Sequence, residues 1–322
     1  MQIRYLNKII LILIFCLSTF AYSRQYRVAI SQIVEHPSLN EIRKGLTEGL
    51  YQKEGFSQDS LSIEYLNAHG NMVTSAQIAS RFIGSHPDLV VGISTPSAQH
   101  LAAKKSLIPV VFTGVTDPLS ARLVSSLEKP GAQISGVMLS TPVREHLRLI
   151  LRTKPGARNI AFLFNGGEAN SVHVADIFRV ESKAAGLTPL ITSINQSSQI
   201  AAAIQSLISK QADALYLPTD NTVISSLGTI LQICQQHHLP VFASDLASGE
   251  SGALAAMGPD HYEIGLLTAR MVAQILRGAK AGDLPVAAVE KNRLYLNFRL
   301  ASDKMGLSFP VSVLKEADKI IR

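Results

Sequence analysis

One pattern occurs twice in this chain. Asp88-Leu-Val-Val-Gly-Ile-Ser-Thr95-Pro96-Ser97, a helical stretch and Ile108-Pro109-Val-Val-Phe112 are echoed by Asp213-Ala-Leu-Tyr-Leu-Pro-Thr219-Asp220-Asn221, a second helical stretch and Leu239-Pro240-Val-Phe242. Each copy reads as a short apolar strand, a turn of small hydroxyl and amide side chains, an amphipathic helix and a second buried strand. A wider echo links Tyr26-Arg-Val-Ala-Ile30, leading to Gly55-Phe56, with Asn159-Ile-Ala-Phe-Leu-Phe164, leading to Gly186-Leu187. The repetition predicts two similar α/β lobes. Ligands of open α/β sheets sit at the carboxyl ends of the strands, so two facing lobes put both sets of polar turns around one cleft.

The amino end bears on where the chain works. Arg4 and Lys8 precede an apolar run from Ile9 to Phe20, and Ala21-Tyr22-Ser23 places small residues at the two positions a signal peptidase reads. The run falls short of the roughly 20 residues that a spanning helix needs. Residues 1–23 are therefore expected to be a cleaved secretory leader. A lipid-bearing leader would want a small residue before Cys16, where Phe15 stands, so a soluble periplasmic protein without a lipid is expected. Cleavage removes Arg4, Lys8 and no acidic residue, taking the net charge from +6 to +4. The remaining basic residues neither cluster nor alternate with aromatics, which argues against nucleic-acid binding. Cys234 becomes the only thiol, so no intrachain disulfide is possible. Its apolar helical context marks it as a packed core residue.

Beyond the leader, strands and helices alternate, which argues for parallel sheets flanked by helices. Leu39, Ile42, Leu46 and Leu50 share a helical face, Met72 to Ile83 forms the next helix, and Ile134-Ser-Gly-Val-Met138 is a fifth strand. The chain is expected to cross to the second lobe near Leu139-Ser-Thr-Pro142, return near Ala253 to Gly258 and cross again near Leu294 to Asn297. The lobes so defined are 24–139 with 258–293, and 140–257 with 294–322. Three crossings would make a hinge that permits closure on a ligand.

Six motifs, in order along nearly all of the mature chain, carry a family resemblance. They are Ser31-Gln-Ile-Val-Glu-His-Pro37, Thr95-Pro-Ser-Ala98, Val115-Thr-Asp-Pro118, Asn165-Gly-Gly-Glu-Ala-Asn-Ser171, Pro218-Thr-Asp-Asn221 and Phe242-Ala-Ser-Asp245. Together they resemble the substrate-binding proteins of ABC transporters of the tryptophan/tyrosine type. The resemblance implies a two-lobed type I periplasmic-binding fold that hands a solute to a membrane permease driven by an ATPase. Relatives from single-membrane organisms usually carry a lipid, a pattern from which Phe15-Cys16 departs.

Each motif also has a physical reading of its own. Thr95 followed by Pro96 looks like an N-cap and first helical residue, and Ser97 then joins free amides that suit a carboxylate; both residues could equally be plain caps. Thr219, Asp220 and Asn221 are the matching turn. Thr116-Asp117 and Ser244-Asp245 follow the strands that end each repeat, where a carboxylate can hold an ammonium. Asp117 precedes Pro118 and is open to a capping reading, so Asp245 is the stronger candidate for the amine. Asn165, Asn170 and Ser171 supply neutral donors and acceptors, with Asn170 alternatively an N-cap. Gln32, Glu35 and His36 are candidates in the first turn, with organisation of the helix start as the alternative role of His36-Pro37.

No nucleotide-binding glycine pattern, metal-ligand spacing or Gly-x-Ser-x-Gly elbow is present, so neither catalysis, a cofactor nor a metal is indicated. The expected function is that of a monomeric periplasmic binder of a small carboxylated solute, an amino acid with an aromatic or large apolar side chain. A ligand-sensing module and a sugar or purine binder of the same fold remain as alternatives.

Overall fold

The structure, a computed structural model, describes residues 25–322; the expected leader and Cys16 lie outside them. The first lobe opens with β1 (Tyr26–Gln32), α1 (Pro37–Glu48), β2 (Leu61–Asn67), α2 (Met72–Gly84), β3 (Leu89–Ile93), α3 (Thr95–Ala102), β4 (Val110–Val115) and β5 (Ile134–Met138). The second is built from α4 (Val143–Thr153), β6 (Asn159–Asn165), α5 (Ala169–Ala184), β7 (Thr188–Ile194), α6 (Ile200–Ser209) and β8 (Ala214–Leu217). It continues through α7 (Asn221–Ser225), α8 (Leu227–Gln236), β9 (Val241–Ala243), α9 (Leu246–Glu250) and β10 (Ala255–Pro259). The chain returns to the first lobe as α10 (His261–Leu276) and β11 (Ala287–Ala288). It ends in the second with β12 (Asn292–Asn297), α11 (Phe298–Met305), α12 (Val311–Glu316) and β13 (Lys319–Ile321).

The first sheet runs β11-β5-β4-β3-β1-β2 and the second β13-β12-β10-β9-β8-β6-β7. The two sheets are parallel, as the alternation predicts, except where β12 lies antiparallel to β10. The exception has a topological cause. β10 runs toward the cleft and leaves the lobe there, so the chain re-enters from the cleft side and β12 must run back down the sheet.

That pairing also moves two crossings from their expected places. Gly258 and Pro259, expected in the first lobe, pair with Arg293 and Asn292 in the second sheet. The crossings therefore fall at Asp260 and between Ala288 and Asn292. Gly258 is a strand residue: a Cβ there would stand 2.3 Å from the Ser244 carbonyl oxygen, so it allows close packing. Leu294, near which a crossing was expected, sits inside β12.

Strand alternation sorts the second lobe's core. Ile160, Phe162 and Phe164 of β6 face one side with Tyr216, while Ala161 and Leu163 face the other with Leu215 and Leu217. Phe162 stacks on Phe178 at 4.6 Å, and Cys234 is fully buried among aliphatic side chains, which push its thiol up to about 12. In the first lobe, α10 seats directly on α1. A Cβ on Gly45 would come within 2.3 Å of the Tyr262 carbonyl, and one on Gly265 equally close to that of Ile42, so this helix pair meets backbone to backbone.

Candidate ligand-binding site

Sequence-local rules explain how the first lobe presents polar groups at the carboxyl ends of its strands. Pro37 starts α1, and His36 before it is extended with no side-chain cap bond. Ser38, in the first turn, donates its hydroxyl to Asp245 Oδ1 of the other lobe at 2.8 Å. After β3 the N-cap is Ser94, with Thr95 as first helical residue, one position earlier than the Thr95 cap expected from the Thr-Pro pair. Pro96 then occupies the second helical position, where its missing amide is also harmless. Ser94 has φ +78° and ψ 157°, a region almost reserved for glycine and worth about 1–3 kcal/mol of strain. Its hydroxyl does not cap; it donates across the cleft to Asn221 Oδ1 at 3.0 Å.

The second lobe's facing turn is braced by two buried carboxyl groups. Asp220 caps α7 by accepting from the Val223 amide at 2.8 Å, and it also accepts from the Asn165 amide at 2.6 Å. Glu168, only 2% exposed, accepts from the Asn221 side-chain amide and from its backbone amide at 3.2 Å. It also accepts from the Thr222 amide at 3.2 Å and hydroxyl at 3.0 Å. Burial, and then the neighbouring Asp220 carboxylate, push the Glu168 carboxyl up to about 7. Burial likewise raises Asp220, against the backbone amides it accepts from. Asn170 donates to Ser171 Oγ and to the Thr219 carbonyl, both at 3.2 Å.

These turns enclose a cavity of about 20 Å³ between the lobes. His36, Ser38, Leu39, Ser94, Gly114, Leu139 and His261 wall it on one side, and Asn170, Thr219, Asn221, Ile224 and Asp245 on the other. His36 Nδ1, Asn170 Oδ1 and Thr219 Oγ1 are buried there without a hydrogen-bond partner. Burial lowers His36 to about 4 against the pull of Asp245, and lowers His261 also against Asp245, so both imidazoles are neutral at pH 7. One carboxylate, neutral acceptors and hydroxyls from both lobes thus converge with aliphatic Leu39, Leu139 and Ile224. That mixture suits a small zwitterion with an apolar part. A more voluminous pocket of about 750 Å³ lies at Val110 and Ile134, the amino ends of β4 and β5, at the opposite pole from this chemistry.

Of the residues expected at the site, Asn170, Thr219, Asn221 and Asp245 line the cavity, while Asn165, Ser171 and Asp220 stand behind them. Asp245 also caps α9, accepting from the Ser248 amide at 3.0 Å. Thr95 and Ser97 are buried in the first turn of α3 beside Ser94. Ser97 Oγ has no partner. Ser244 is held below the cavity by the Tyr216 hydroxyl at 2.8 Å. Gln32 donates to the Val34 carbonyl at 2.8 Å and to Asn40 at 2.9 Å, within its own lobe. Thr116 is buried next to Asp117, which caps the Leu119 amide at 2.9 Å and meets His173 of the second lobe at 3.2 Å. Glu35 points away, accepting from Tyr65. Sequence reasoning missed Ser38, Ser94, Glu168 and His261. Among the described residues no cluster of three or more His, Cys, Asp or Glu could hold a metal, and no helix is long and apolar enough to cross a membrane.

The model of the ABC transporter substrate binding protein family matches residues 27–321. The chain belongs to that family. A tyrosine-binding protein of Clostridioides difficile is 36% identical over 274 residues, 85% of this chain and 79% of the relative. An ABC domain from Streptococcus pneumonia in complex with L-Trp is 33% identical and superposes with a TM-score of 0.89, covering 92% of this chain and all of that one. A ligand-free, open substrate-binding protein with adhesive properties from Clostridium difficile is 32% identical but superposes at only 0.69, covering 92% of this chain and 99% of that one. The architecture is the type I periplasmic-binding fold.

Proposed function

We propose that the protein captures an aromatic amino acid between its lobes, unaltered, and delivers it to an ABC permease after export through its amino-terminal leader. The observation that carries this reading is the convergence of buried, unpartnered polar atoms from both lobes on one cavity, His36 Nδ1 from the first and Asn170 Oδ1 and Thr219 Oγ1 from the second. Buried polar atoms are rarely left unpaired, so these are the contacts a bound solute would complete. Asp245 supplies negative charge for an ammonium, and the hydroxyl-rich start of α3 suits a carboxylate. The relatives named for tyrosine and solved with L-Trp support the ligand class. Binding without chemistry is favoured by membership of a family of substrate-binding proteins and by the engagement of Glu168, Asp220 and Asp245 with hydrogen-bond donors.

A cavity of about 20 Å³ holds little more than a water molecule, so an amino acid enters only as the lobes part and is then enclosed. Calorimetry against amino acids, sugars and nucleosides, with small-angle scattering of the free and saturated protein, tests the reading. At least one aromatic amino acid should bind and hold the lobes closed. Binding of a sugar or nucleoside with no amino acid would overturn the ligand class. Mass spectrometry of the exported protein should find an amino terminus near Arg24, and a diacylated Cys16 would refute the export form.

A further inference from the structure

The Asn221 amide is oriented by its own lobe. Glu168 accepts from its Nδ2, so the carbonyl Oδ1 must point across the cleft, where it receives the Ser94 hydroxyl. The His36 imidazole walls the same cavity as Asn221, and burial holds it neutral, so one of its two ring nitrogens carries a bare lone pair. Nδ1 of that ring is buried without a hydrogen-bond partner. In the tautomer protonated at Nε2, Nδ1 offers that lone pair to a donor on the ligand. This lone pair is buried in the cavity wall that also contains Leu39, Leu139 and Ile224.

We propose that His36 determines ligand specificity, its Nδ1 accepting a hydrogen bond from the ring N–H or O–H of the bound amino acid, so that an indole or phenol is taken and a plain phenyl ring is refused. This rests on the aromatic-amino-acid reading of the cleft. The ligand's ammonium is the competing donor, but Asp245 and Asn170 Oδ1 serve it better, the first by charge and the second by an unused lone pair. No Phe or Tyr ring lines the cavity, and the chain contains no Trp, so ring stacking on the protein cannot do the sorting. A site built to accept such a bond discriminates strongly, because the wrong ligand leaves the acceptor buried and unpaired.

Calorimetry on the full mature chain with L-Tyr, L-Phe, L-Trp and 1-methyl-L-Trp provides the test. The wild type should bind Tyr over Phe, or Trp over its methylated form, by about tenfold or more. In His36→Leu that preference should collapse through loss of Tyr or Trp affinity, with Phe affinity kept. Wild-type ratios near one in both pairs would overturn the role of His36. So would equal weakening of Tyr and Phe in His36→Leu, which would assign Nδ1 to the ammonium. Thermal melts establish that the variant folds, and should it not, His36→Phe gives the same comparison alongside the wild-type ratios. Failure of all four amino acids to bind the wild type would defeat the underlying reading as well, whereas flat ratios defeat His36 alone.

Discussion

The two echoed turns meet face to face and are built by opposite means. After β8, the second lobe's turn is braced from behind: Asp220 ties α7 to β6, and Glu168 grips both amides of Asn221. After β3, the first lobe's turn has no carboxylate behind it and no side-chain cap; Ser94 is held in a glycine-like conformation and reaches outward instead. A buried carboxylate satisfied by several amides fixes a wall before any ligand arrives. A strained hydroxyl turn leaves its donors for whatever faces it. Similar sequence patterns have become a rigid jaw and a receptive one.

The sharpest way to break this comparison is to remove the brace. Asp220→Ala leaves the Asn165 and Val223 amides buried without an acceptor, and should cost about 3 kcal/mol of stability in urea unfolding, given about 1.5–3 kcal/mol for each bond to a charged group. Ser94→Ala should cost less than a third of that. Equal losses would mean that the turns are not differently built.

Ligand affinity separates the lobes next. Asp245→Asn keeps a good N-cap for α9 while removing the charge, so zwitterion binding should weaken by about 1.5–3 kcal/mol, against about 0.5–1.5 for Thr95→Ala. Calorimetry on the two variants reads the difference, and the reverse order would place the charged contact in the first lobe.

The brace should also be visible in pH dependence. Glu168 is raised from 4.5 to about 7 by folding, so the native state holds its proton more tightly than the unfolded chain. Its contribution to stability is complete below about pH 4.5 and is lost as pH rises toward 7. His36, lowered from 6.5 to about 4, works in the opposite sense and loses stability as pH falls through that window. Glu168→Gln should therefore abolish only the decline with rising pH, seen as the difference between wild-type and variant stability from pH 4.5 to 7.5. An unchanged difference across that range would remove Glu168 from the titration.

The smallest effect concerns strain. Ser94→Gly relieves the positive φ and should stabilise the free protein by about 1 kcal/mol while losing the hydroxyl that crosses to Asn221. Higher melting temperature with weaker ligand affinity is the expected pair of results. A melting temperature no higher than that of Ser94→Ala, which loses the same hydroxyl, would show the backbone at Ser94 to be unstrained.

What could be read from the sequence follows from the range of the forces involved. Strand periodicity, the apolar faces of α1 and α4, and the repeated turns are local patterns, and they located the two lobes and the polar ends that face one another. The cap after β3 was misplaced by one residue because Pro suits the first and second helical positions alike. Asn170, Thr219, Asn221 and Asp245 follow directly from their strand ends. Glu168 could not be found that way: its partners Asn221 and Thr222 lie more than 50 residues downstream, and nothing in Gly-Gly-Glu distinguishes a buried carboxyl from a surface one. Ser38 and His261 were hidden similarly, since their place at the cleft depends on how the lobes and α10 dock.

That docking of α10 on α1 bears on how the chain acquires its shape. Emerging amino end first, the polypeptide has all the strands from β1 to β5 in hand by Met138, yet the flank of α1 around Gly45 stays uncovered until α10 has been made beyond Asp260. The intervening second lobe, by contrast, meets most of its own partners as it appears. The earlier-made half should therefore be the later to mature, and an assistant that binds exposed helix surface would find its longest-lived target on the flank of α1 around Gly45, which leads on to Gly49.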